Sequence, residues 1–102
     1  MDTTTKPWMQ DKVHVVKSAD IYRAHPPNKV VQQKQDICWD GMGKVLELEP
    51  QPQLDNFRYN DDNTQVTASV VAQAGTYFEY VLKCEGQDVQ GNSPPIIVVD
   101  KP

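Results

Sequence analysis

The sequence predicts an all-β fold, a Greek-key β-sandwich. Three observations carry this. Short runs rich in β-branched residues recur along the chain, separated by Pro, Gly, Asn and Asp. No window of about eleven residues sustains apolar positions at the i, i+3, i+4, i+7 spacing of a helix face. The eight prolines, at 7, 26, 27, 50, 52, 94, 95 and 102, fall between these runs or at their ends. That placement suits a residue with no amide proton to give a strand ladder.

A chain of 102 residues makes one domain. Residues 1–10 read as an N-terminal arm, and residues 11–102 as a single β-sandwich domain. In the arm, Trp8 and Met9 either pack on the body or meet a partner. A first strand over 12–17 places Val13 and Val15 on one face and turns His14 to solvent. Strands at 20–23 and 29–33 flank His25, Pro26 and Pro27, where an extended turn is expected. In the strand at 36–39, Ile37 and Trp39 share the core face. At 44–49 alternation is clearest: Leu46 and Leu48 face one way, and Val45, Glu47 and Glu49 the other. Residues 50–63 form the longest irregular stretch, with a turn at Asn60, Asp61, Asp62 and Asn63. At 64–72, Val66, Ala68 and Val70 oppose Thr67 and Ser69. A last long strand at 76–84, a polar crossing at 85–94 and a closing strand at 96–100 complete the set. Tyr77 and Tyr80 are expected to fill the core or anchor the loop before their strand.

Composition excludes several function classes. The net charge is −4 and no basic stripe is present, which opposes binding to a phosphate backbone and excludes nucleic acid as a partner. The longest apolar runs, such as residues 96–99, are far too short to cross a bilayer, so no membrane association is expected. Residues 1–10 lack the apolar core of a signal peptide, which favours the cytoplasm, with a secreted chain after leader removal as the alternative. Cys38 and Cys84 are the two cysteines. In that compartment they are expected as reduced, buried thiols, with a bridge between them as the other option.

Several segments resemble the cupredoxin-like sandwich. Asp36, Ile37, Cys38 and Trp39 look like its core strand, and residues 44–48 like the strand that follows its first copper ligand. Gly75, Thr76 and Tyr77, with Phe78 and Tyr80, look like the Gly-x-Tyr strand that leads to the ligand cysteine. Residues 95–99 look like the closing strand, so the match covers about residues 29 to 100. The resemblance implies a copper site built from a thiolate, two imidazoles and a thioether, a soft ligand set that suits copper. Those ligands are missing. Gly41, Met42, Gly43 and Lys44 offer no His at the first position. Glu85, Gly86, Gln87, Asp88, Val89 and Gln90 follow Cys84 with neither His nor Met. The resemblance therefore implies a cupredoxin-like sandwich lacking the copper ligands. An immunoglobulin-like sandwich is the alternative, but its Cys, Trp and Tyr signature fails. Here Trp39 directly follows Cys38, and Tyr80 lies four residues before Cys84.

Candidate chemistry is sparse. His14, His25, Cys38 and Cys84 are scattered, and no pair has chelate spacing. Ser18, His14 and Asp20 lie close in sequence, but strand alternation does not converge them on a catalytic triad. Glu85 beside Cys84 opposes thiolate formation. Glu47 and Glu49 read as an exposed acidic face rather than a working carboxylate pair. Gly41 and Gly43 permit a tight turn that projects Met42. The sequence thus predicts a non-catalytic binding or structural module with no cofactor. The loops at 41–43 and 85–94 share one end if the cupredoxin-like order holds, so Met42, Gln87 and Asp88 are the expected partner contacts. The partner is a protein, or a second copy of the chain joined through an edge strand. The competing reading is a redox or metal-binding protein using Cys84.

Overall fold

Alternation decides which way each strand faces, and the layers follow from it. The computed structural model describes residues 12–90 and 95–100. Among them the secondary structure is entirely β. The strands are β1 (Lys12–Ser18), β2 (Ile21–His25), β3 (Asn28–Val31), β4 (Asp36–Asp40), β5 (Leu46–Leu48) and β6 (Leu54–Tyr59). They continue as β7 (Gln65–Val70), β8 (Tyr77–Glu79), β9 (Leu82–Cys84), β10 (Gln87–Asp88) and β11 (Ile96–Val99). One sheet has the order β2-β1-β4-β7-β6. Two smaller sheets have the orders β10-β9-β5 and β3-β11-β8. Pairing is antiparallel except for β1 with β4 and β3 with β11, which run parallel.

Every sheet turns its apolar positions into one core. Val13 and Val15 come from β1, Ile37 and Trp39 from β4, and Val66, Ala68 and Val70 from β7. Leu46, Leu48, Phe78, Leu82, Cys84, Ile97 and Val99 meet them from the smaller sheets. Burying each aliphatic chain contributes about 1.5–3 kcal/mol, so this convergence is the main driving force for the fold. Trp39 and Tyr80 touch edge to face at the centre, with ring centroids 5.3 Å apart and planes at 63°. The arrangement is consistent with a β-sandwich.

The layers are joined by chain that belongs to both. Strand β2 pairs with β1 and, after Pro26 and Pro27, β3 pairs with β11. Neither proline can donate to a ladder, so the strand breaks there and changes sheet. At Tyr80 and Val81 the chain changes partner again. The Tyr80 amide donates to the Pro95 carbonyl (3.2 Å), and the Val81 carbonyl accepts from the Glu49 amide (3.0 Å).

Several expectations need correction. Residues 50–63 are not irregular throughout, because β6 forms the edge of the large sheet. It buries only Leu54 fully, and Asn56, at φ 57°, makes a bulge between Asp55 and Arg58. A polar edge strand with a bulge lacks the alternation that marks a strand in sequence. The long strand at 76–84 is two strands, although Phe78, Tyr80, Leu82 and Cys84 keep facing inward across the break. The crossing at 85–94 contains β10, which pairs with β9. His25 ends β2 rather than sitting in a turn. Tyr77 does not enter the core. It is 72% exposed, because it shares an outer row with Val98 and Val30.

Two polar features set the register and the electrostatics of the body. On the outer face Ser69 Oγ donates to Asp36 Oδ1 (2.7 Å), and Arg58 Nη2 donates to Asp36 Oδ2 (2.9 Å). The three residues tie β4, β7 and β6 together. The Ser69 hydroxyl first, and the Arg58 guanidinium second, hold the Asp36 carboxyl below its ordinary value. A carboxyl depressed in the folded state stabilises the protein above about pH 4, and loses that contribution as the pH falls through the folded value. The pair is half exposed, so Asp36→Asn is expected to cost under about 1 kcal/mol at neutral pH. The variant should also show a shallower loss of stability below about pH 4, read from denaturation at several pH values.

In the core, burial pushes the Tyr80 phenol up to about 12, with the neighbouring Trp39 indole acting in the opposite sense. The two groups are close enough to feel each other, yet neither Trp39 Nε1 nor Tyr80 Oη completes a hydrogen bond. An unpaired buried hydroxyl costs its desolvation. Tyr80→Phe is therefore expected to be neutral or stabilising, while Tyr80→Ala should cost about 3–5 kcal/mol through cavity formation. A loss above about 2 kcal/mol for the Phe variant in urea denaturation would refute the unpaired state.

Candidate binding site at one end of the core

The turn after β4 is built by its own polar atoms. The Met42 amide donates to Asp40 Oδ1 (2.9 Å), and the Lys44 amide donates to the Gly41 carbonyl (3.1 Å). Met42 and Gly43 both have positive φ, 55° and 87°, as a type I′ turn requires. The turn is fastened below by the Gly41 amide to the Thr64 carbonyl (2.8 Å) and the Leu46 amide to the Asn63 carbonyl (2.8 Å). Gly41 is buried there, and a Cβ on it would collide with the Lys44 and Thr64 carbonyls and the Leu46 side chain.

A second fastening brings the β9–β10 hairpin alongside. The Val45 amide donates to Glu85 Oε2 (2.8 Å), and the Glu85 amide donates to the Val45 carbonyl (2.9 Å). Met42 stands at the tip of its turn, 57% exposed. Gln87 and Asp88 are exposed on β10, with Asp88 Oδ1 3.7 Å from Lys83 Nζ.

Between β1, β2 and the Met42 turn lies an open cleft of about 270 Å³. Its origin is the register of the parallel pair. His14 is opposite Asp40, so residues 15–18 overhang the end of β4. Val15, Val16 and Lys17 line one wall, Tyr22 the adjoining one, and Gly41, Met42 and Lys44 the other. Lys17 Nζ sits 5.7 Å from the centroid of the Tyr22 ring. Sequence reasoning found Met42 and missed Lys17, Lys44 and Tyr22. No local motif marks them, and only the β1–β4 register brings them together.

The remaining candidates do not assemble a reactive centre. His14 and His25 face each other across β1 and β2, with Asp40 in the same row. Among the described residues, no group of three or more His, Cys, Asp or Glu is placed to hold a metal ion. Ser18 lies about 13 Å along the strand from His14, too far for proton transfer. Glu47 faces Lys83 across the ladder. Asp62 Oδ1 accepts from Thr64 Oγ1 (2.8 Å) and from its amide (3.3 Å), so this carboxylate caps its own turn. Cys38 and Cys84 are both free thiols. Cys38 is on the outer side of β4 and Cys84 faces the core. Burial first, and Glu85 second, raise the Cys84 thiol above its ordinary value, while Lys44 pulls the other way. Trp8 and Met9 lie outside the described residues.

No protein-family model matches this sequence, and no curated protein matches it. Among the described residues no helix is long and apolar enough to cross a membrane.

The close contacts at Gly41 generate a direct test. Gly41→Ala inserts a methyl group where backbone carbonyls already sit, and should cost about 2 kcal/mol in urea denaturation. A cost under about 0.5 kcal/mol would mean that the turn can shift freely and does not fix the cleft.

Proposed function

We propose that the chain is a non-catalytic binding module whose contact surface is the end carrying Met42, Gln87 and Asp88. The observation that carries this is an exposed Met42 on a turn fastened to Asp40, Thr64, Asn63 and, through Val45, to Glu85. A soft apolar side chain on a backbone that is already fixed binds with little backbone ordering cost. A polar hairpin beside it supplies the rim that recognition surfaces use. The partner in this reading is a protein or a second copy of the chain.

The fold reading that goes with it is a Greek-key, cupredoxin-like sandwich without copper ligands. Two features support it. The turn at 41–44 and the hairpin after Cys84 share one end, as that resemblance implies. The parallel pairs β1–β4 and β3–β11 also depart from the two antiparallel sheets of an immunoglobulin domain.

Alanine substitution of Met42, Gln87 and Asp88 should weaken a captured partner, with Met42→Ala costing at least about fivefold in affinity. Unchanged affinity in all three variants would remove this surface. Saturating copper or zinc should leave the melting temperature unchanged, because a site-bound metal must stabilise the folded state. An upward shift that disappears in Cys84→Ser would replace this reading with a metal-binding protein using Cys84.

A further inference from the structure

We propose that the cleft between β1, β2 and the Met42 turn binds a small organic anion with an apolar body, an aryl- or alkyl-carboxylate of about ten non-hydrogen atoms. This goes beyond the module reading, since it requires no protein partner.

Volume sets the size of the ligand. A dry cavity of about 150 Å³ accommodates benzene. The cleft, at about 270 Å³, has room for a ring and a short chain. Val15, Val16, Met42 and the Tyr22 ring supply an apolar surface for that body. Met42 can adjust its thioether to the shape presented.

Charge sets the polar end. Lys17 and Lys44 both line the cleft in a chain whose net charge is −4. Among the described residues neither forms an ion pair. The Lys17 ammonium lies against the Tyr22 ring, a contact weak enough to yield to a carboxylate. Asp40 and Glu85, which accept from the Met42 and Val45 amides, keep their charge beside the turn, but neither lines the cleft. Asp20 sits on the exposed β1–β2 turn beyond Lys17. Two lysines among apolar walls complement an anion with a hydrophobic body better than a neutral side chain.

The test is an amide-shift titration by NMR with 4-phenylbutyrate and, separately, its neutral analogue 4-phenylbutanol. The acid is expected to shift the amides of Val15, Val16, Lys17, Tyr22 and residues 41–44 saturably. The alcohol should bind at least about fivefold more weakly, and the double variant Lys17→Gln/Lys44→Gln should reduce the acid to the alcohol's level. Both lysines are exposed, and the variant's own spectrum reports whether it keeps the fold. Equal binding of acid and alcohol would make the cleft a slot for an apolar side chain of a protein, and would overturn the proposal. So would shifts elsewhere on the molecule, or no saturable shift at millimolar acid. The alanine scan of Met42, Gln87 and Asp88 reads protein binding and the titration reads discrimination between acid and alcohol, so either reading can fail while the other stands.

Discussion

The fold rests on the contact between Trp39 and Tyr80. Trp39 belongs to the middle strand of the large sheet, and Tyr80 to the point where the opposite layer changes partner. Both are almost fully buried, and their rings meet edge to face. An aromatic pair in this geometry is worth about 0.5–1.5 kcal/mol beyond the area it buries. Its structural weight is larger, because it joins the two sides of a single buried cluster. The polar atoms of the pair are the cost, since each aromatic ring takes a hydrogen-bonding group into a place where it has no full partner.

From that centre, register shapes the end that carries the cleft. Strand β1 runs beside β4, and the parallel pairing leaves its last residues without a ladder partner on that side. The overhang and the Met42 turn then enclose space that no side chain fills. A turn with a small, fixed backbone is needed to bound that space, and Gly41 meets the condition because its backbone lies against two carbonyls. The same end also receives the β9–β10 hairpin through Glu85. Fold and site are therefore not separable: the residues that shape the cleft also terminate the core.

Much of the architecture was legible in the sequence. Simple alternation puts Ile37 with Trp39 on one face and Leu46 with Leu48 on another, and all four are buried. The β7 pattern, with Val66, Ala68 and Val70 inward, was equally plain. Strand β6 was not, because an edge strand needs only one apolar face and its bulge erases the period. Tyr77 misled because aromatic character says that a residue wants cover, not which face of the strand it occupies. For the site, Met42 could be singled out from its flanking glycines, a local signal. Lys17, Tyr22 and Lys44 could not, because their association depends on which strands pair and in what register. The pairing of His14 with His25 was hidden for the same reason.

The chain passes from one sheet to another at Pro26 and Pro27, and changes partner again at Tyr80 and Val81. Each crossing makes a single run of backbone answer to two sets of neighbours. At the first crossing the large sheet shares continuous backbone with a smaller one, and at the second the two smaller sheets share it. A domain joined in this way is expected to unfold in one cooperative step. It can therefore hold a small opening at its end without loosening elsewhere.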